Sequence, residues 1–332
     1  KELVKAPAAE EQKAPNKELA KAPTEPVLTA APVEGESFSI PDINLDMLWC
    51  KPGTFMMGSP KDEKDREEDE TQHKVTLTKG FYLGKHEVTQ AQWEKVMGSN
   101  PSHFKGATLP VERVSWDDAI KFCEKLTQME KSAGRLPEGW TYTLPTEAQW
   151  EYACRAGTTT AYAFGDELTA KDANFDESVG ETTDVGKYPA NGWGFHDMHG
   201  NVWEWCADWY GNYPSGAVRD PVGPTGGAGR VIRGGSWNWV GSTLRSAQRG
   251  NGAPSHRGNG LGFRVGFQAV QQDTANPELE LFGGAAVTRE AGQAWAEPGV
   301  AAHDARDGNL TANISVTGTV DVNSTGNYVL TY

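Results

Sequence analysis

The sequence is short of cysteine, of long apolar runs and of basic charge, and each shortage removes a class of protein. Its 332 residues include four cysteines, Cys50, Cys123, Cys154 and Cys206. They form no Cys-x-x-Cys pair and no zinc-ligand spacing, so neither a redox motif nor a metal finger is indicated, and buried free thiols are expected. No apolar stretch approaches the roughly 20 residues a membrane-spanning helix needs, and mean hydropathy is −0.58. The 31 Lys and Arg are outnumbered by 45 Asp and Glu, giving a net charge of −14. No basic cluster reverses that sign over a face, so nucleic acid is not an expected partner. A removed leader, a trimmed chain and a gene fragment all fit a sequence that opens on Lys1.

What the chain has in quantity is 38 glycines and 12 tryptophans, the composition of a loop-rich fold built on aromatic plates with little helix. Residues 1–36 repeat KELVKAP as KELAKAP and read as a disordered Lys/Ala/Pro-rich spacer. A globular domain is predicted over 37–268. Its segment Lys74 to Thr89 alternates apolar with polar as paired strands do. Thr89 with Gln92, Ser115 with Asp118, and Thr146 with Gln149 each place a hydroxyl cap three residues before a side chain able to reach back. The first helix should carry Trp93 and Met97 inward and stop at Gly98. The second places Ile120, Cys123 and Leu126 on one stripe, and the third carries Trp150 and Cys154 and stops at Gly157. From Gly157 to Val265 irregular structure is expected. Residues 269–278 read as a linker. Residues 279–332 read as an all-β module with turns at Gly283-Gly284, Asp307-Gly308 and Gly326-Asn327, incomplete at Tyr332.

Seven blocks stand in order: GTFMMGSP, HEVTQAQW, PVERVSWDDAIKFC, LPTEAQWEYACRAG, GNVWEW, RGGSW and GLGFRV. Together they make residues 47 to about 268 resemble the formylglycine-generating enzyme, or sulfatase-modifying factor, family. The resemblance implies an α+β, C-type-lectin-like fold with much irregular structure and frequent bound calcium. The stretch EPGVAAHDARDGNLT, Glu297 to Thr311, resembles bacterial immunoglobulin-like repeats, which implies a β-sandwich behind it.

Family members that oxidise a sulfatase cysteine to formylglycine bind copper through two cysteines, three and eight residues past the RGGS serine. Those positions are Trp239 and Leu244 here. Neither can ligate copper, and no cysteine lies between Ser236 and Val265, so copper is not expected. Family positions that often bridge to the counterparts of Cys123 and Cys154 are Val265 and roughly Ala247. The resemblance and the chemistry of hard oxygen donors imply calcium at Asp197, Glu204 and the carbonyls of Gly200 and Val202. Asn201 and Glu204 satisfying backbone donors in a tight turn is the plainer alternative. A second calcium site would use Asn174 and the carbonyl of Phe175, although the family's downstream loop is shortened here.

Arg230 to Val265 also resembles the variable segment of diversity-generating-retroelement ligand-binding proteins. Diversification would suit Val240, Gly241, Ser242, Gly250, Gly252, His256 and Gly258. Trp239 and Gln248 do not fit it, because adenine mutagenesis of an AAC codon yields neither residue. His196 and His199 are three apart, yet neighbouring glycines argue against a helix and make loop side chains the better reading. The run Lys61 to Glu70 reads as a solvated acidic loop, and the sequons at Asn309, Asn313 and Asn323 carry little weight in an Asn/Ser/Thr-rich module. Arg233 and Arg264 should pin their strands through carbonyls. The reading is an extracytoplasmic (secreted, periplasmic or surface-anchored) non-catalytic protein that recognises a protein, peptide or glycan. A formylglycine-generating oxidase, or a relative with other chemistry, is the alternative. Trp239 is expected partly exposed beside a pocket with Ser242, Arg245, Arg249 and His256.

Overall fold

Hydroxyl caps set all three helices. In the computed structural model, which describes residues 31–270 and the backbone of residues 278–281, 300–304 and 308–309, Thr89, Ser115 and Thr146 sit in extended backbone. Each accepts from the N–H three residues on, while the side chain of that third residue accepts from the cap's own N–H. These reciprocal pairs satisfy N–H groups that a helix start otherwise orphans, and they open α1 (Gln90–Met97), α2 (Trp116–Ser132) and α3 (Glu147–Arg155). Gly98, at φ 86°, closes α1. Ala156 rather than Gly157 takes the first left-handed position after α3, so that helix ends two residues before the glycine that predicted its stop.

The strands are β1 (Phe38–Ile40), β2 (Leu45–Cys50), β3 (Gly53–Met57), β4 (His73–Leu77), β5 (Phe81–Gly84), β6 (Trp140–Thr143), β7 (Trp203–Trp209), β8 (Val218–Arg219), β9 (Arg230–Arg233), β10 (Arg249–Gly252), β11 (Leu261–Gly262) and β12 (Gly266–Ala269). An antiparallel sheet runs β1-β2-β5-β12-β6, a second runs β10-β9-β7-β11, and a third runs β3-β4-β8. The alternating segment Lys74 to Thr89 thus supplies two strands that do not pair with each other. β4 joins β3 and β8 while β5 lies between β2 and β12. Local alternation fixes which face is buried and leaves the partner to tertiary packing. Beyond the linker, β13 (Glu278–Leu281), β14 (Val300–Asp304) and β15 (Gly308–Asn309) form an antiparallel sheet of their own. The spacer up to residue 30, the turns expected at Gly283-Gly284 and Gly326-Asn327, and the end of the module lie outside the described residues.

Aromatic plates fill the core. Trp93 of α1 stacks on Phe122 of α2 with ring centroids 5.5 Å apart, and Phe263 meets both edge-on. Between α3 and β7, the fully buried Trp150 joins Cys154, Cys206 and Val231. From Gly157 to Val202 the chain runs without helix or strand, yet it is anchored by side chains: Asn191 donates to the carbonyls of Ala153 and Cys154, and Leu244 packs with Ala161, Tyr162 and Ala173. Near the N-terminal edge, the Tyr82 hydroxyl donates to the Val33 carbonyl at 2.6 Å.

Candidate functional site

The segment that follows β9 decides what the domain can do. Gly234 and Gly235 turn the chain at φ 96° and 74°, and a Cβ on Gly235 would lie 2.5 Å from Leu244 Cδ1. Only glycine fits there, and it lets Leu244 drop into the core at 0% exposure. Trp239, in contrast, is 49% exposed and sets its ring edge-to-face on the buried Trp203, centroids 5.9 Å apart. The two positions where the resemblance places thiolates therefore face opposite ways, one to solvent and one inward. All four cysteines are free and buried. Burial pushes the Cys154 thiol up to about 12 and raises Cys50, Cys123 and Cys206 as well, which leaves them inert. Within that segment Ser246, next to Ala247, lies beside Cys154, its Oγ 3.7 Å from Sγ, and His199 Nε2 stands at the same distance.

The five residues expected to line a pocket are not brought together. Trp239 and Ser242 stay on the segment's outer side. Arg245 turns inward, paired with both oxygens of Glu70 at 2.6 and 2.8 Å and with Glu63 at 2.7 Å. Arg249 also turns inward, gripping Glu147 at 2.7 and 2.9 Å and lying over Tyr213, 3.8 Å from its centroid. His256 is exposed in the turn after β10. A guanidinium that enters the interior must meet carboxylates there, and the acidic run Lys61 to Glu70 provides them. Glu70 is fully buried and ties the end of that run to the core, while Lys61, Asp62, Lys64, Asp65, Glu67 and Glu68 stay exposed, as a solvated loop does. Arg233 does pin its surroundings through the carbonyls of Ser246 and Ala247, with Glu151 and Glu147 as ionic partners that spacing did not reveal. Arg264 likewise donates to the Gly84 and His196 carbonyls.

The expected cation ligands converge in part. Both oxygens of Glu204 accept from Arg264 at 2.6 Å, and Oε2 also accepts from Trp150 Nε1 at 2.8 Å. Asp197 accepts from the Gly186 N–H at 2.6 Å, and burial raises its carboxyl to about 6. Glu87, given no role by the sequence, is wholly buried with Oε1 unpartnered. Burial first, then the charges of Asp197 and Glu204, drive its carboxyl well above the usual range. Asn174 donates to the Glu181 carbonyl at 2.9 Å while its Oδ1 is buried without a partner, and the Phe175 carbonyl accepts from Ser178 at 3.0 Å. Among the described residues no three His, Cys, Asp or Glu side chains form a metal cluster. The orphaned oxygens and the raised carboxyls of Glu87 and Asp197 nevertheless suit a hard cation that takes carbonyl and amide oxygens alongside carboxylates. Glu87 stands in the HEVT block, but 110 residues separate it from Asp197 and no local spacing could join them.

His196 and His199 go to different surroundings. His196 Nδ1 lies 2.8 Å from the Tyr188 carbonyl. His199 is buried, with Nδ1 2.7 Å from the Leu244 carbonyl and Nε2 accepting from the Ala163 N–H, and burial lowers its pKa to about 4. They share no ligand position.

The family profile described as Sulfatase-modifying factor enzyme 1-like domain matches residues 38–269, and the one described as Bacterial surface protein, Ig-like domain matches residues 279–332. The formylglycine-generating enzyme of Streptomyces coelicolor is 35% identical over 207 residues, covering 55% of this chain and 60% of its own. Serine/threonine-protein kinase pkn1 of Chlamydia caviae is 33% identical over 240 residues, 66% of this chain but 37% of its own, so the chain spans only part of either relative. Treponema denticola variable protein 1 matches in structure with a TM-score of 0.62 and 29% identity, covering 70% of this chain and 98% of that one. Through residues 38–269 the chain belongs to the sulfatase-modifying factor enzyme 1-like family, with an Ig-like module of the bacterial surface type behind that domain.

Proposed function

We propose that the domain is a non-catalytic recognition module whose ligand seats around Trp239. The observation that carries this reading is the fate of the two thiolate positions: Trp239 stands at the surface and Leu244 is core. Copper chemistry needs soft thiolates, and an indole and an isobutyl group supply none. Ser236 offers no substitute, since it is buried and its Oγ donates to Asn238 Oδ1 at 2.8 Å, with no histidine or carboxylate hydrogen-bonded to it as a base. An exposed indole braced by a second tryptophan is instead a rigid contact platform. The likeness to a protein described as variable suits a scaffold whose loops carry the contacts while its core is kept.

Calcium fits the same reading as a structural ion. Asp197 and Glu87, with the carbonyls of Gly200 and Val202, would hold one ion beside Glu204, whose oxygens Arg264 already takes, and Asn174 and Phe175 would contribute to a second. Bound there, the ion would supply positive charge that relieves the repulsion among buried acids. The surface-protein type of the trailing module supports an extracytoplasmic location. Among the described residues no helix is long and apolar enough to cross a membrane.

Incubating the protein with a CxPxR-type sulfatase peptide, copper and oxygen should give no aldehyde above a no-protein control. Turnover above that control would overturn the reading.

A further inference from the structure

The surface beside Trp239 has a consistent chemistry. Val240 is 55% and Val179 44% exposed, and Phe175 packs under Gly241, where a Cβ would lie 3.4 Å from its ring. The loop bearing Phe175 and Val179 is clamped to the tryptophan segment by backbone bonds: the Asp176 N–H donates to the Trp239 carbonyl at 2.9 Å, and the Glu177 N–H to the Trp237 carbonyl at 2.8 Å. Asp176 and Glu177 both stand at φ 52°, a left-handed pair that disfavours most side chains and persists here because the neighbouring strand of chain holds it. An apolar patch floored by an indole is thus rimmed on one side by two fixed, exposed acids.

The charge on these two segments has one sign. Between Lys171 and Lys187 the chain carries Asp172, Asp176, Glu177, Glu181 and Asp184 and no base, and Gly234 to Leu244 carries no charge at all. Among the described residues neither Asp176 nor Glu177 takes part in an ion pair. Arg245, the next cation along the segment, is buried and already matched by Glu63 and Glu70. The face of an indole attracts a cation through its quadrupole, and unpaired carboxylates at the edge of an apolar patch steer the same charge toward it.

We infer that this patch takes a basic segment of a partner protein, seating a lysine or arginine side chain against Trp239 with Asp176 and Glu177 as its counter-charges. The inference rests on the recognition reading and narrows its ligand to one class; a neutral glycan or an acidic peptide would meet the wrong rim.

The full chain can be titrated with short fluorescent peptides in which glycine alternates with lysine, serine or glutamate, followed by anisotropy. The lysine peptide should bind in a salt-dependent way. Asp176→Asn with Glu177→Gln, and separately Trp239→Ala, should each weaken it by about tenfold. A control that removes the same charge from exposed positions on α1 and α2, Glu94→Gln with Glu124→Gln, should change it by less than about twofold. Equal weakening by both double variants would show that overall acidity draws the peptide, and would overturn the inference. Binding of the serine or glutamate peptide that depends on Trp239 but ignores Asp176 and Glu177 would overturn the cationic class and leave the recognition reading standing. No binding of the lysine peptide would also overturn the inference, and the recognition reading would then rest on the formylglycine assay alone.

Discussion

Leu244 touches both glycines that shape its surroundings: a Cβ on Gly235 would meet its Cδ1 at 2.5 Å and one on Gly200 its Cδ2 at 3.0 Å. Truncating it leaves a hole that two backbone turns cannot collapse to fill, so Leu244→Ala should lower stability by about 2–5 kcal/mol in urea titration. Loss below about 1 kcal/mol would show that the site relaxes and that Leu244 is not a fixed plug. Glu112 is the second informative residue. It is buried, accepts from the Phe104 N–H at 2.8 Å and leaves Oε2 unpartnered, and burial raises its carboxyl to about 7. An unfolded glutamate ionises near about 4.3. Between those values the folded state keeps a proton that the unfolded chain has lost, so the contribution of Glu112 is complete below the lower value and vanishes as pH rises through the upper one. Glu112→Gln retains an acceptor for Phe104 and never ionises. Its melting temperature should match the parent below about pH 4 and exceed it near about pH 8. An equal difference at both would mean that the carboxyl does not titrate in this range.

At the scale of elements, α3 is where local and tertiary demands meet. Its capping box was readable from Thr146 and Gln149. The inward roles of its acids were not, because Glu147 takes Arg249 from 102 residues away and Glu151 takes Arg233 from 82 residues away. Helical periodicity shows which face is inward but cannot name a partner that arrives from another sheet. These two contributions separate by mutation. Thr146→Ala removes one cap and should lower stability by about 1 kcal/mol. Glu147→Gln leaves Arg249, and in part Arg233, buried beside a neutral amide and should lower it by about 3–5 kcal/mol. Chemical denaturation of the two variants tests the order, and a larger loss for Thr146→Ala would reverse it.

For the whole molecule, the buried acids Glu87, Asp197 and Glu204 come from two distant stretches of chain and share one guanidinium, Arg264, which pairs with Glu204 and leaves the carboxyls of Glu87 and Asp197 raised. With calcium at a hundredfold excess over its dissociation constant, mass action adds about 2.7 kcal/mol, so a chelator should lower the melting temperature. Glu87→Gln neutralises the acid whose oxygen is orphaned. It should raise the melting temperature in chelator and shrink the response to calcium. A melting temperature indifferent to chelator, or a variant that responds to calcium as the parent does, would remove the ion from this account.

The sequence by itself determined the three helices, since each cap and its answering side chain lie within one turn. It also determined the family, through seven short blocks whose order survives whatever the loops do, and the want of thiolates at residues 239 and 244. It could not decide which strand pairs with which: β4 and β5 are neighbours in sequence and strangers in the sheets. Nor could it tell that Arg245 and Arg249 would turn inward while Trp239 turned out, because a charge's burial depends on whether a carboxylate waits for it. Glu70 and Glu147 wait there from segments 175 and 102 residues away. Short-range hydrogen bonding is written in adjacent residues; the pairing of buried charges and the edges of sheets depend on contacts that exist only once the chain has closed on itself.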